Sequence, residues 1–244
     1  MMLIMSTQVG VQAKWPRVCR ATRPQLTARS IIANIRREDL GKSMRYDDNH
    51  KERTRARVLA EAAAAIRGKG VERVGVAEVM AGAGLTHGGF YAHFKSKDDL
   101  LTEAISYMFD DAYASFLRHT EGRAPADALS NYIDAYLATS HRDDRAHSCP
   151  LAALSGDLPN MPALARARFA DGTERLVAAL AKLVKKLCAK NAEALAWSAL
   201  AEMAGALALS RTVSDADRST QILRNSRAMV RSRLSLDRPT SRGG

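Results

Sequence analysis

The sequence predicts an all-α fold, and its composition is the main reason. Of the 244 residues, 46% are hydrophobic and only 5% are aromatic, and alanine and leucine recur in long blocks. These residues lose little side-chain freedom in a helix, so they favour helix over sheet. A chain of this length can bury one good core or two modest ones. The expectation is therefore a mostly helical protein.

The charge balance indicates a class of partner. The formal net charge is +11 at pH 7. A polyanion such as DNA is attracted to such a chain, because each phosphate neutralised by Lys or Arg releases condensed counterions. Charge alone is equally compatible with a protein that simply carries a basic tail.

The cysteines predict neither a disulfide framework nor a metal site. Cys19, Cys149 and Cys188 are odd in number and far apart. This usage is typical of a reducing compartment, so we expect a cytoplasmic protein without a metal or another cofactor.

No membrane span or signal peptide is predicted. The stretch from Met1 to Met5 is too short for a signal sequence. The longest apolar run, from Ala194 to Leu209, is interrupted by Ser198, Glu202 and Gly205.

The first structured element is expected after a basic extension at residues 1–46, which has few periodic apolar positions and should stay flexible. A first helix then begins at Asp48 or Asn49, either of which can cap it, and ends at Gly68 and Gly70. Its apolar positions recur at helical spacing. They are Val58, Leu59, Ala62, Ala63 and Ile66.

A short helix, a glycine turn and another short helix follow. The second helix is predicted over Val76 to Ala83, and Gly84 then supplies a residue that tolerates positive φ. The third is predicted from Thr86, as its cap, to Phe94. It should form an exposed rod of about two turns.

The remaining elements are long helices. Ser96 to Asp99 has the Ser-x-x-Asp pattern of a capping-box variant, and the helix that it starts is stopped by Gly122 and Pro125. Residues 141–161 are expected to form a connection with at most a short helix. Further helices are predicted at Ala126 to Thr139, Pro162 to Leu187, Asn191 to Leu209 and Asp215 to Leu234.

The segment from residue 75 to residue 94 has the layout of a helix-turn-helix. DNA's major groove, about 12 Å wide, admits one α-helix, which must be exposed and braced from behind. Leu85, Phe90 and Phe94 are expected to provide the brace. Gly88 and Gly89 are poor helix formers, and a close approach to DNA is a reason to keep them.

The stretch from Gly84 to Lys97 resembles the recognition-helix signature of the TetR/AcrR family of one-component regulators. The resemblance runs from about Arg53 to Leu101 and includes the Ala-Gly turn, the Tyr-x-His-Phe pattern and the Lys-Ser-Lys that follows. Gly75 and Gly89 depart from the pattern, because the family usually has Ser or Thr there. They put individual contacts in doubt rather than the fold.

Carried over by position, the resemblance implies a set of DNA-binding residues. Some approach bases or phosphates in the groove, and others contact the phosphate backbone. Arg53, at the start of the first helix, is either a phosphate contact or part of a solvated face. The predicted set is Thr86, His87, Gly88, Gly89, Tyr91, His93, Lys95, Lys97 and Arg53.

A homodimer is predicted from the last two helices. The helix from Asn191 to Leu209 is apolar on nearly every side, which gives it more apolar surface than the core of a single chain needs. With the helix from Asp215 to Leu234 it is expected to pack against a second copy, or else to be buried within a monomer. The second helix's apolar stripe is Ile222, Leu223, Met229, Val230 and Leu234. A two-fold dimer would bind a palindromic operator in double-stranded DNA.

The resemblance also implies a pocket for a small-molecule effector. Aromatic and methionine side chains of the larger helical part are candidates for its lining, although each fits a plain core better, because aromatic residues at helical spacing usually belong to the core. The candidates are Met108, Phe109, Tyr113, Tyr132, Tyr136, Phe169 and Met203.

Together these patterns predict four parts. They are a flexible basic extension at residues 1–46, a three-helix helix-turn-helix domain at 47–97, a helical ligand-binding and dimerisation domain at 98–236, and a disordered tail at 237–244. The expected function is a DNA-binding transcriptional regulator, with repression as the family's usual mode and release by a small-molecule inducer.

Three alternatives remain at this point. An architectural DNA binder would show no sequence preference. A redox-sensing regulator would use Cys149, although a free cysteine is more often inert. An enzyme is disfavoured, because the sequence lacks a phosphate-binding glycine loop and a nucleophile elbow. We expect no catalytic residues.

A metal at His141 and His147, near Asp143 and Asp144, is also disfavoured, since a polar loop defines no ligand geometry.

Overall fold

The computed structural model describes residues 50–187 and 190–237. Throughout these residues the secondary structure is helical, with no strand, and the all-α prediction is confirmed. The predicted extension at residues 1–46, the predicted caps Asp48 and Asn49, and Cys19 and Cys188 lie outside the described residues.

Two helices and a short 3₁₀ helix form the first part of the fold, which we call the head. Helix α1 occupies residues 50–69, and α2 is Val76–Gly82. The 3₁₀ helix His87–Ala92, named the recognition segment below, follows a turn at Gly84, whose φ of 70° is left-handed as predicted. The five apolar positions predicted for the first helix are all buried.

The second part, which we call the body, consists of longer helices with a short irregular region in the middle. Its helices are α3 (Lys97–Thr120), α4 (Pro125–Tyr136), α5 (Thr139–Asp143), α6 (Pro150–Leu154), α7 (Ala163–Leu187), α8 (Ala192–Ser210) and α9 (Ala216–Arg233). A 3₁₀ helix, Ser155–Asn160, follows α6. Helix α4 ends before the predicted Thr139, and two short helices occupy the predicted connection.

Helix α3 connects the two parts. Its start follows the predicted capping box: the Ser96 hydroxyl accepts a hydrogen bond from the Asp99 amide at 3.1 Å, and the Asp99 carboxylate accepts one from the Lys95 amide at 2.9 Å. Its 24 residues extend about 36 Å. The predicted domain boundary between residues 97 and 98 lies in its first turn, so the head and the body share this helix.

The core of the body forms where α7 packs between α3, α4 and α8, and α8 packs against α9. Phe109 of α3 and Phe169 of α7 meet edge to face, with ring centroids 5.1 Å apart. Gly172 lies at the same crossing, and a Cβ there would overlap the Phe109 ring. Phe109 is fully buried, so its ring has little room to move.

A Gly172→Ala substitution should therefore lower the free energy of unfolding by about 1 to 3 kcal/mol, the usual cost of overpacking a core. Urea denaturation followed by circular dichroism measures it. Gly68→Ala is the control: it changes another helical glycine, and a Cβ there meets no atom within 4 Å. Equal stability of the two variants would show that the crossing adapts to the methyl group.

Candidate nucleic-acid interface and internal cavity

Two aromatic side chains anchor the recognition segment from below. Phe90 and Phe94 are each 2% exposed, and their rings stack with centroids 5.7 Å apart. The Arg55 guanidinium lies 4.9 Å from the centre of the Phe94 ring. Leu85 is half-buried against the same core. The segment is therefore held to the head by its apolar side, in the orientation that the brace was expected to give.

The opposite side of the recognition segment faces outward. Thr86, His87 and Gly88 are exposed, and Tyr91 is 72% exposed. Gly89 is half-buried. A Cβ at Gly88 would meet nothing within 4 Å, and one at Gly89 would make only ordinary contact with Met80. Packing inside the protein therefore does not require glycine at either position.

The recognition segment differs from the predicted α-helix in two respects. It is a 3₁₀ helix of six residues, and Thr86 is extended at its start but makes no side-chain capping hydrogen bond. Two consecutive glycines and an unused cap explain the difference, because each removes support for a regular α-helical turn. Runs of 3₁₀ helix are usually short, and six residues is at the long end of their range.

The other predicted DNA-binding residues lie around this segment. Arg53, Lys95 and Lys97 are exposed. His93 is half-buried, and its Nδ1 has no hydrogen-bond partner among the described residues. Burial, with the positive charges of Lys51 and Arg55, lowers the pKa of His93. His93 therefore stays neutral near pH 7.

The body contains a cavity of about 460 Å³ between α3, α4 and α5. This volume lies in the range of small-molecule sites. Small side chains on the facing helices, among them Ala112, Ser115 and Ala135, leave the space open. Of the seven candidates for the pocket lining, the structure places Tyr132 and Tyr136 at this cavity.

The other five candidates lie elsewhere. Phe109 and Phe169 form the crossing of α3 and α7, and Met108 and Met203 are fully buried in the core. Tyr113 is half-buried and packs beneath the Arg175 guanidinium, 4.8 Å from its ring centre.

His141 is held in one orientation at the cavity wall. Its Nδ1 donates to the Tyr136 carbonyl oxygen at 2.7 Å, so its Nε2 can accept from the Cys149 amide at 3.1 Å. Burial is the main cause that lowers the pKa of His141. Both ring nitrogens are occupied, which leaves none for a metal. No cluster of metal-ligating residues occurs among the described residues.

The environment of Cys149 opposes a redox role. The thiol is buried, and burial raises its pKa, so it is protonated and weakly nucleophilic near pH 7. Against it lies the Tyr136 hydroxyl, which is buried and has no nitrogen or oxygen hydrogen-bond partner in the described part of the chain.

Sequence reasoning missed Arg67, a buried contact that joins the head to the body. This α1 side chain is 2% exposed. Its guanidinium donates to the carbonyl oxygens of Met108 and Ala146, at 3.3 and 3.2 Å, and to the carboxylate of Asp111 at 3.3 Å. Asp111 also lines the cavity. Nothing in the sequence distinguishes this arginine from those on solvated faces.

Comparison with known proteins adds a family match. The family described as "Bacterial regulatory proteins, tetR family" matches residues 58–104, which include α2, the recognition segment and the start of α3. No curated protein matches the chain in sequence.

Solved structures resemble about three quarters of the chain. A TetR transcriptional regulator from Chloroflexus aurantiacus is 23% identical, with a TM-score of 0.67, over 77% of this chain and 96% of that chain. Escherichia coli NemR in its reduced form is 18% identical, with a TM-score of 0.64, over 73% and 95%. AibR, solved with isovaleryl coenzyme A and operator DNA, is 18% identical, with a TM-score of 0.54, over 72% and 97%.

The position of His141 leads to a pH dependence of stability. Its pKa is lowered in the folded state, whereas in the unfolded state it should be about 6.5. Above about pH 6.5 the His141 side chain is neutral in both the folded and the unfolded state. As the pH falls through it, only the unfolded state gains the proton, so the free energy of unfolding should fall.

Urea denaturation between about pH 7.5 and pH 5 measures this slope. His141→Gln should make it shallower, because the group that titrates differently is gone. His50→Gln, which changes an exposed histidine of α1, is the control. If His141→Gln retains the wild-type slope, His141 is not the source.

Proposed function

We propose that this chain, whose residues 58–104 form a helix-turn-helix domain of the TetR family, is a ligand-responsive transcriptional regulator that acts in the cytoplasm and is not an enzyme. It binds a palindromic operator as a homodimer, represses transcription, and leaves DNA when a small-molecule inducer binds in the body. The observation that carries the proposal is the recognition segment, anchored by Phe90 and Phe94 and exposed on its other side.

The arrangement of the head supports the proposed DNA contacts. Exposed Thr86, His87 and Tyr91 reach the groove or its edges, and the two glycines allow the backbone to come close. Lys95, Lys97 and Arg53 add positive charge for phosphates. His93, being half-buried and neutral, contacts phosphate only through the exposed part of its ring.

Selection of bound duplexes from a random pool tests this function on the full chain. A regulator of this kind should enrich one palindrome whose half-sites lie about 34 to 36 Å apart. Enrichment of no sequence, with similar affinity for all duplexes and a steep salt dependence, would instead support an architectural DNA binder.

Two substitutions in the head should separate sequence readout from charge. His87→Ala should reduce the preference for the selected palindrome over random duplex, because it removes a groove-facing side chain. Lys97→Ala should weaken binding to both duplexes equally and lower the salt slope by about 1. Fluorescence anisotropy at several salt concentrations measures both effects.

Lys186→Ala is the matched control, because Lys186 is an exposed lysine of the body near the end of α7. It should bind both duplexes as the wild type does. Equal effects of the Lys97 and Lys186 changes would mean that only overall charge matters.

An exposed apolar stripe supports the homodimer. Along one side of α8, Trp197 is 43% exposed and Leu209 is 59% exposed, and Ala201 and Gly205 lie between them. Among the described residues, α8 is also the helix long and apolar enough to cross a membrane, judged by length and composition. Its packing against α7 and α9 leaves this stripe for a second copy.

Three of the five residues in the apolar stripe predicted for the last helix are not available to a second copy. Leu223, Val230 and Leu234 are buried within the chain itself, so they are not available to a second copy. The expectation failed because a helical stripe does not indicate which partner covers it. Met229, exposed on another side of α9, remains available to the interface.

A leucine-to-arginine pair tests the interface. Leu209 and Leu164 are both 59% exposed, but only Leu209 lies on the α8 stripe. Leu209→Arg should convert the dimer to monomer and weaken operator binding, because a charge in an apolar interface is costly to bury. Leu164→Arg, on α7, should remain dimeric. Sedimentation equilibrium at micromolar concentration gives the result, and a monomeric wild type would contradict the dimer.

A further inference from the structure

The cavity between α3, α4 and α5 has walls of mixed chemistry, and that mixture limits what fits it. Ala112, Ala135 and Ala138 make part of the lining apolar, and the ring of Tyr132 adds to it. Small-molecule sites commonly combine such apolar surface with a few placed polar groups. Most of a bound molecule should therefore be apolar, and the remaining side chains determine which polar group it carries.

One end of the cavity carries a buried hydroxyl donor whose neighbour is a thiol, which is a weak acceptor. Tyr136 is 5% exposed, and its hydroxyl lies against the Cys149 thiol, with no nitrogen or oxygen partner among the described residues. Burial raises the pKa of both groups, so both keep their protons near pH 7. A buried donor that has only a weak acceptor is costly, and solvent does not reach this hydroxyl. An oxygen admitted by a small motion of either side chain would satisfy it.

The charges around the cavity favour an acceptor over an amine. The two lining carboxylates are already engaged: Asp111 accepts from Arg67, and Asp144 accepts from His147 at 3.0 Å. Arg211 lies behind the same end, where its guanidinium donates to two carbonyl oxygens and to Ser148, and no described carboxylate pairs with it. Arg118, exposed at the cavity, likewise has no ion pair in the described part of the chain.

We infer that the cavity binds an apolar molecule that carries one hydrogen-bond-accepting oxygen, a carbonyl or a carboxylate, and that the Tyr136 hydroxyl donates to that oxygen. This inference rests on the proposed function, because it names the class of inducer that the regulator would sense. It specifies the chemistry at one atom of this chain and excludes cationic amines as preferred ligands.

Isothermal titration calorimetry on the full chain tests the inference with four probes of one shape. They are naphthoate, acetylnaphthalene, ethylnaphthalene and naphthylmethylamine. The two probes with an acceptor oxygen should bind more tightly than the hydrocarbon and the amine. The order of naphthoate and acetylnaphthalene then distinguishes a carboxylate ligand from a neutral carbonyl ligand.

Tyr136→Phe should weaken acetylnaphthalene by about 2- to 12-fold, the worth of one neutral hydrogen bond, and naphthoate by about 12- to 160-fold, because a hydrogen bond to a charged carboxylate is stronger. It should leave ethylnaphthalene unchanged. The melting temperature of the ligand-free variant should match or exceed that of the wild type, because the change removes an unsatisfied hydroxyl. A merely structural role for Tyr136 would instead lower it. Tyr107→Phe is the control, since Tyr107 is half-buried on α3 outside the cavity lining.

Three results would overturn the inference: tighter binding of the amine, equal weakening of ethylnaphthalene by Tyr136→Phe, or binding of none of the four probes at millimolar concentration. Operator binding by the same ligand-free protein is measured in parallel. If operator binding persists while the probes fail, the ligand class is wrong and the regulator assignment stands. If selection of duplexes also fails, the proposed function is wrong as well.

Discussion

The buried guanidinium of Arg67 is the contact on which the arrangement of the two parts depends. It extends from α1 of the head into the body, where it meets two carbonyl oxygens and the carboxylate of Asp111. A charge taken out of water must be paired and hydrogen-bonded, and removal of one partner of such a pair typically costs about 3 to 5 kcal/mol. The head is thus held to α3 by an interaction that tolerates little displacement, and its carboxylate partner, Asp111, lines the cavity.

Helix α3 connects this contact to the recognition segment. It begins at Lys97, shortly after the recognition segment ends at Ala92, and its C-terminal half carries Asp111 and Ser115 at the cavity. Because a helix moves largely as a rigid rod, α3 is a direct mechanical connection between the cavity and the head. A second link lies just after the C-terminal end of α1, where the Asp157 carboxylate accepts from the Val71 amide at 3.1 Å. Motion of the head therefore has to change both contacts together.

Local patterns in the sequence were sufficient for the helices and for the head. Caps, glycine turns and apolar spacing act over a few residues, which is why Ser96, Gly84 and the buried face of α1 were predictable. The cavity was not predictable, because it is created by small side chains that do not fill the space between the helices. Ala112, Ser115 and Ala135 create the space, whereas large side chains that were predicted to line a pocket, such as Phe109 and Phe169, fill the core.

The same limit explains the missed polar contacts. Tyr136, His141 and Cys149 meet only because α4, α5 and the loop after α5 fold back on one another. In the sequence each had an ordinary local explanation. The prediction for the recognition segment was wrong in a different way. Its position was predictable, but two adjacent glycines and an unused Thr86 cap made it a 3₁₀ helix instead of an α-helix.

If the cavity and the head are coupled, the size of the ligand decides the response. An effector changes DNA affinity only through the difference between its affinities for the two arrangements of the protein, commonly about 1 to 3 kcal/mol. A molecule that contacts only Tyr136 has little such difference, because Tyr136 belongs to the body. One that also displaces Asp111 competes with that carboxylate for the Arg67 guanidinium, and so acts on the contact that holds the head. Binding and induction are therefore separate properties of a ligand for this cavity.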